Sequence, residues 1–427
     1  MKDNHLFAGM GPFLTLWSTQ ALSSLGSAMT GFALIVWSYQ QSGSALSTAL
    51  LSVCTYAPYV AFSLFAGALS DRWDKRRTML ACDALAALGT CTLLLLWRGG
   101  GLALWHIYLL NLFTGLMNTV QQPAAEVAAT LLAPKAQYQR VGSLQALSSS
   151  LVSLLTPALA SAVLAFGGLG AVMAVDLATF ATAFLTLLAA IRIPRPQAAP
   201  ARASVLQSCR EGLRYLRGNR GLWHLILFLA AINLTASMYE AALPALTLSR
   251  GGDWALGAVN TCAGAATLAG SVLAALLPAP KSRVRVICNT LLLSMGVENL
   301  LLAFGRTVPV WCVGAALGWL CIPVMNTNLN ALLRTRIPVE LQGRVYAVRN
   351  TFQFFTIPVG YLLGGALVDR VFEPLLAAQA AGSPLALLFG AGRGAGAAAL
   401  FFLLAVLGEA TCLVFRRSKA LWALEQT

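Results

Sequence analysis

Apolar runs of helix-span length, each closed by a short polar turn, follow one another along the whole chain. They lie near residues 11–39, 46–69, 79–97, 103–132, 141–166, 170–191, 222–248, 254–277, 285–304, 308–333, 344–369 and 385–415. A bilayer core takes about 20 apolar residues per helical crossing. Backbone in contact with lipid must close its own hydrogen bonds, so each run reads as an α-helix. The pattern predicts an all-α membrane protein with twelve transmembrane helices.

The longest polar interruption falls between the sixth and seventh spans, where Ile193-Pro-Arg-Pro196 leads into a Pro/Ala/Arg stretch. It divides the chain into a six-helix bundle over 1–192, a cytoplasmic linker over 193–220 and a second six-helix bundle over 221–427. Ser204 and Gln207 have capping-box spacing. Beyond them Leu206, Leu213 and Leu216 share one helical face, opposite Arg210, Arg214 and Arg217. Such a helix suits an anionic membrane surface, or serves as a solvated linker.

The two halves also repeat. Pro134-Lys-Ala-Gln-Tyr-Gln-Arg140-Val141 matches Pro338-Val-Glu-Leu-Gln-Gly-Arg344-Val345 at an offset of 204, and a proline follows in each next span, at Pro157 and Pro358. Duplicated six-helix halves predict pseudo-symmetric bundles that rock about a central site, the architecture of alternating access.

Composition agrees with the pattern. Of 427 residues 58% are apolar and 10% charged, with a mean hydropathy of +0.73, far from a soluble domain. The formal charge of +14 raises the question of nucleic acid, and the placement of the charges answers it. With a cytoplasmic amino terminus, about 24 of the 29 Lys and Arg residues fall on one side, leaving Arg98, Arg250, Arg306, Arg370 and Arg393 on the other. This is the positive-inside bias; it sets both termini in the cytoplasm and leaves no case for a nucleic-acid partner. The first apolar run has no short core with a cleavage site and reads as an uncleaved helix.

Catalytic and metal chemistry find no foothold. The nine cysteines contain no Cys-x-x-Cys pair, and His5, His106 and His224 have no ligand spacing. No phosphate-binding Gly-x-x-x-x-Gly-Lys-Ser/Thr loop is present, and the run Gly390 to Gly396 follows no strand; close helix packing explains it. The chain is expected to be no enzyme and to hold no cofactor or metal.

One polar turn is more charged than the rest: Gly67-Ala-Leu-Ser-Asp71-Arg72-Trp-Asp74-Lys75-Arg76-Arg77, between the second and third spans. It resembles the Gly-x-Leu-x-Asp-Arg-x-Gly-Arg-Arg signature of the major facilitator superfamily, with Asp74 in place of the second glycine. Trp17, Gln20, Ser24, Gly26-Ser27, the stretch Arg210 to Arg217 and Gly343-Arg344-Val345 are similar to the macrolide-efflux and enterobactin-exporter branch. The resemblance implies a cytoplasmic latch formed by Gly67, Asp71, Arg72, Arg76 and Arg77 with Gly343 and Arg344. Asp71 would rest against the amino-terminal end of the eleventh span, where a carboxylate gains roughly 0.3–1 kcal/mol; the alternative is that these charges only enforce topology. Two departures bear on coupling. Asn111 stands where many family antiporters carry a membrane arginine, and the fifth-span Gly-Pro pattern is reduced to Thr156-Pro157.

Ionisable groups inside spans are costly and default to function. The resemblance places Asp83, Asp176, Glu298 and Glu409, on the third, sixth, ninth and twelfth spans, outside the cavity, in structural or interfacial roles. It places Glu126 and Glu240 on cavity-lining spans. Glu240 has no basic residue within a helical turn and is the first proton-coupling candidate. Glu126 either carries a proton or pairs with Arg72, Arg76 or Arg77. Gln20, Trp37, Asn111, Asn118, Asn233, Asn326, Phe352 and Phe355 are candidate cavity residues, with Asn328 as further polar company. A wide apolar pocket with a few hydrogen-bonding groups suits amphiphilic organic molecules.

These expectations converge on a monomeric, multi-pass secondary transporter of a bacterial inner membrane. It would export an amphiphilic drug or natural product in exchange for protons, in contact with membrane lipid. The rivals are a lysophospholipid or siderophore carrier and a non-transporting membrane receptor or scaffold.

Overall fold

A computed structural model describes residues 9–134, 137–194, 205–380 and 382–425; within its helices, the side chains at 63–72, 139, 205–209, 339–340, 342–344 and 347 are not described. The helices are α1 (Gly11–Ser42), α2 (Ala45–Arg72), α3 (Lys75–Arg98), α4 (Leu104–Leu132), α5 (Tyr138–Ala189), α6 (Val205–Gly218), α7 (Arg220–Gly251) and α8 (Asp253–Leu276). They continue as α9 (Arg283–Leu293), α10 (Asn299–Phe304), α11 (Val308–Arg336), α12 (Val339–Leu367), α13 (Glu373–Ala377), α14 (Pro384–Phe389), α15 (Ala395–Arg416) and α16 (Lys419–Trp422). Among the described residues there is no strand.

Ten segments of the described residues are long and apolar enough to cross a membrane. The longest helix, the 52-residue α5, turns at Gly168, whose φ of 66° and ψ of −174° lie outside the helical region, and so supplies two rods. α4, 29 residues long, is close in length to the single rods α1, α2, α7 and α11. The set is consistent with twelve crossings. α9 and α10 form one crossing joined by a π-helical turn over Ser294–Glu298, and a second π-turn, Val368–Phe372, continues α12. π-turns are uncommon and concentrate at functional positions.

The last crossing begins later than the apolar run suggests. The short α14 ends at Phe389; Gly390 to Gly394 form a loop ahead of α15, while Gly396 in the first turn of α15 packs closely on Glu373, where a Cβ would lie 2.5 Å from the backbone nitrogen. Arg250 donates to the Phe389 carbonyl at 2.8 Å, Arg306 donates to the Leu387 and Leu388 carbonyls, and the Gly394 amide donates to Glu373 at 2.7 Å. Gly390, Gly392 and Gly394 all have positive φ there.

The chain forms two compact units, residues 1–37 with 54–205 and residues 38–53 with 206–427. In the first, α3 packs on α4 and α5; in the second, α11 packs on α8 and α12 on α7. The repeat shows in the packing. In the first unit a Cβ on Gly115 of α4 would lie 2.3 Å from the Thr55 carbonyl oxygen of α2, and in the second a Cβ on Gly270 of α8 would lie 2.3 Å from that of Leu320 on α11. Second and fourth spans, and their eighth and tenth counterparts, touch backbone to backbone through a glycine, the close contact that replaces hydrophobic drive inside lipid.

α6 keeps the expected amphipathic pattern, and the protein takes up its apolar face. Leu216 is fully buried in a cluster with Leu222, Leu225, Leu332 and Leu333, Leu213 and Tyr215 pack beside it, and the Tyr215 hydroxyl donates to the Arg336 carbonyl at 3.1 Å. Arg210, Arg214 and Arg217 remain exposed.

Candidate functional site

The first unit encloses a cavity of about 1310 Å³, whose wall comes from α1, α2, α3, α4 and both limbs of α5. Its construction is legible in helical spacing. On α1, Gln20 and Ser27 stand seven residues apart, as do Asp83 and Thr90 on α3; seven residues are two turns, about 10.5 Å of rise, so each pair shares a face. Two polar rungs result. At the first, the Gln20 side-chain amide donates to one Asp83 oxygen at 3.3 Å and that of Gln121 on α4 donates to the other at 2.5 Å. At the second, the Ser27 hydroxyl donates to Asp176 at 2.9 Å and the Thr90 hydroxyl at 3.4 Å. Asp83 is 8% exposed and Asp176 4%.

α4 adds a third stripe. Asn111, Asn118, Gln122 and Glu126 recur at seven- and four-residue intervals and all line the cavity. Phe13, Trp17, Leu34, Leu110, Leu177 and Phe180 supply apolar and aromatic wall, and the Trp17 indole is fixed by donating to the Leu144 carbonyl at 3.0 Å.

Of the residues singled out from the sequence, this cavity gathers Gln20, Asn111, Asn118 and Glu126. Trp37, Asn233, Asn326, Phe352 and Phe355 are not on its wall. Trp37 closes the 1–37 segment of the first unit, half-buried. The other four belong to the second unit: Asn233 is half-buried, Asn326 and Phe355 are exposed, and Phe352 meets Trp223 edge to face at 5.6 Å. Asp83 and Asp176 correct the expectation from the sequence, since both line the cavity. The signal was present in the matched seven-residue spacings on the first and third spans.

Of the charged turn, the side chains of Gly67, Asp71 and Arg72, and those of Gly343 and Arg344, lie outside the described residues. Asp74, which departs from the family signature, has a local structural role. It is the N-cap of α3, accepting from the Arg77 amide at 3.0 Å, and thus satisfies one of the helix's orphan donors. The Arg76 guanidinium donates to the Leu187 and Leu188 carbonyls at the carboxyl end of α5, where a cation complements the helix dipole. The Arg77 side chain is exposed.

The second unit holds a separate acidic pocket. Glu298, on the π-turn and 4% exposed, stands by Tyr239 and Trp319 and within electrostatic reach of Glu240 on α7. Gly318 makes the space for it: a Cβ there would lie 1.9 Å from Glu298 Oε2. Glu298 Oε1, Ser294 Oγ and Asn299 Oδ1 are buried without a hydrogen-bond partner among the described residues. Glu298, expected outside the cavity in a structural or interfacial role, is a buried group of the second unit that is not on the cavity wall, while Glu409 of α15 lies against the same π-turn at Gly296.

In the same unit Asp369, on the second π-turn, caps α2. Its carboxylate accepts from the Ala45 amide at 2.9 Å, the Leu46 amide at 2.8 Å and the Ser44 hydroxyl at 2.6 Å. Gln40 donates to Asp253 at 2.7 Å and the Tyr39 hydroxyl donates to the Ala245 carbonyl at 3.2 Å. These bonds tie residues 38–53 to the second unit, with which they group.

Comparison with known proteins fits this picture. Macrolide efflux protein A of Streptococcus pyogenes is 24% identical to this chain, over 84% of it and 90% of the relative. Multidrug efflux pump Tap of Mycobacterium tuberculosis is 26% identical, over 84% and 87%. Among solved structures, a nucleoside transporter shares the fold at 12% identity, covering 95% of this chain and 99% of that one with a TM-score of 0.70. The sequence pattern described as Major Facilitator Superfamily matches residues 16–361. A multi-pass membrane protein, the chain belongs to the major facilitator superfamily.

Proposed function

We propose that this protein is a proton-coupled exporter of amphiphilic organic molecules, working by alternating access in a bacterial inner membrane. The observation that carries the reading is the cavity of about 1310 Å³, in which aromatic and aliphatic wall alternates with amides, hydroxyls and carboxylates. Pockets of drug-sized ligands run to roughly 300–1,000 Å³ and pair apolar lining with a few placed polar groups. The names of the macrolide and multidrug efflux relatives support the same substrate type.

Glu240 and Glu126 are the proton carriers in this reading. One charge moved through 100 mV is worth about 2.3 kcal/mol, enough alone for roughly fifty-fold accumulation. In the same reading Gly67, Asp71, Arg72, Arg76 and Arg77, with Gly343 and Arg344, form the cytoplasmic latch. Both termini lie in the cytoplasm, and a single chain in contact with lipid is the working unit.

The test is efflux from cells expressing the chain, across a panel of amphiphilic drugs, with and without a protonophore. Efflux that stops when the proton gradient collapses supports coupling; efflux indifferent to it removes protons from the mechanism. In vesicles, E240Q is expected to flatten the pH dependence of transport, and an unchanged profile would take Glu240 out of the mechanism.

A further inference from the structure

We propose that the first-unit cavity selects lipophilic organic cations and that Asp83 is their counter-ion. The inference rests on reading the cavity as the substrate site, and narrows its ligand from amphiphiles in general to those carrying a positive charge.

The charge balance of the wall is the starting point. Three carboxylates line it, those of Asp83, Asp176 and Glu126, and among the described residues on it there is no Lys, Arg or His. The hydrogen bonds that Asp83 and Asp176 receive come from amides and hydroxyls, which are neutral. Neutral donors hold an ionised carboxylate in place without cancelling its charge, and a buried charge without a counter-ion is costly in a low-dielectric interior. A bound cation supplies the missing charge. The same wall also carries an unused polar group: the Thr30 hydroxyl, 5% exposed and beside Asp176, meets no hydrogen-bond geometry.

Asp83 rather than Asp176 is suited to meet the ligand. Its two partners, Gln20 and Gln121, are long side chains from different helices that can swing aside and then donate to polar atoms of the ligand. The donors of Asp176 are short. Ser27 and Thr90 have little reach, and the Thr90 hydroxyl also lies 3.5 Å from the Ala86 carbonyl of its own helix. Near Asp83 the wall offers the partly exposed Trp17 from α1, backed by the buried Phe13, Leu16 and Met79, an aromatic surface for the lipophilic part of a cation.

Two probes of nearly the same size and opposite charge separate charge from shape: tetraphenylphosphonium and tetraphenylborate. Binding of each is measured to the purified full-length protein in detergent, where no membrane potential acts. The parent protein is expected to prefer the phosphonium by about tenfold or more, equivalent to ~1.4 kcal/mol. D83N should remove most of that preference by weakening the phosphonium and strengthening tetraphenylborate, whose retained binding also shows that the variant is folded, and D83E should keep the preference. Equal affinity of the parent for the two probes, a preference for the borate, or a D83N protein that still prefers the phosphonium overturns the proposal. Because binding is read without transport, absent efflux would count against the exporter reading and leave the charge preference standing or falling on its own.

Discussion

Single side chains in this protein are placed by what faces them across a helix interface. Gly318 exists where Glu298 needs room, so G318A sets a methyl group 1.9 Å from Glu298 Oε2. Overpacking of this kind costs about 1–3 kcal/mol, and the expected result is a lower thermal midpoint in detergent; an unshifted midpoint would mean that the carboxylate moves out freely. Asp74→Ala removes the N-cap of α3 and should cost about 1 kcal/mol, read in the same melt. At this scale the sequence marked Gln20, Asn111, Asn118 and Glu126 as polar residues on apolar spans, and these stand on the cavity wall. It assigned Asp83 and Asp176 to outer roles, because span number alone does not say toward which neighbour a helix turns a given face.

At the scale of helices, apolar length and turn chemistry dictated most of the result. The rods start and stop near the limits of the hydrophobic runs, since leaving backbone donors unpaired in lipid is prohibitive. Details set by particular contacts were hidden. The π-turns leave no periodic signature, and the glycine-rich stretch reads as part of the last packed helix, whereas 390–394 is a loop held by Arg250 and Glu373 beside an α14 that Arg306 holds. Asp369 caps α2 from more than 300 residues away along the chain. A carboxylate at a helix amino terminus is worth about 0.3–1 kcal/mol, up to ~2 when partly buried. Asp369→Asn is therefore expected to speed hydrogen exchange at the Ala45 and Leu46 amides by about two- to tenfold. Exchange at the parent rate would show that the carboxylate's charge adds nothing to the cap.

For the molecule as a whole, the division into two units makes a prediction about cutting the chain. Leu216 of α6 belongs to the core of the second unit, so the chain should tolerate a break between 194 and 205 and not one after Gly218. Co-expressed pieces ending and starting within 194–205 are expected to restore most of the parent's efflux, whereas pieces divided after Gly218 should restore little. Equal recovery from the two cuts would deny α6 its packing role. Hydrophobic length and spacing were enough to give an all-α, multi-pass membrane protein with a set of rods consistent with twelve crossings, because these are properties of local chain that the bilayer reads directly. Which polar residues meet was left to the tertiary structure: the Asp83 and Asp176 rungs, the group around Glu298 and the capping of α2 by Asp369 join residues from 21 (Glu298 and Trp319) to 325 (Ser44 and Asp369) apart. Such meetings depend on how each helix is rotated against its neighbours, and that rotation is fixed by packing between spans.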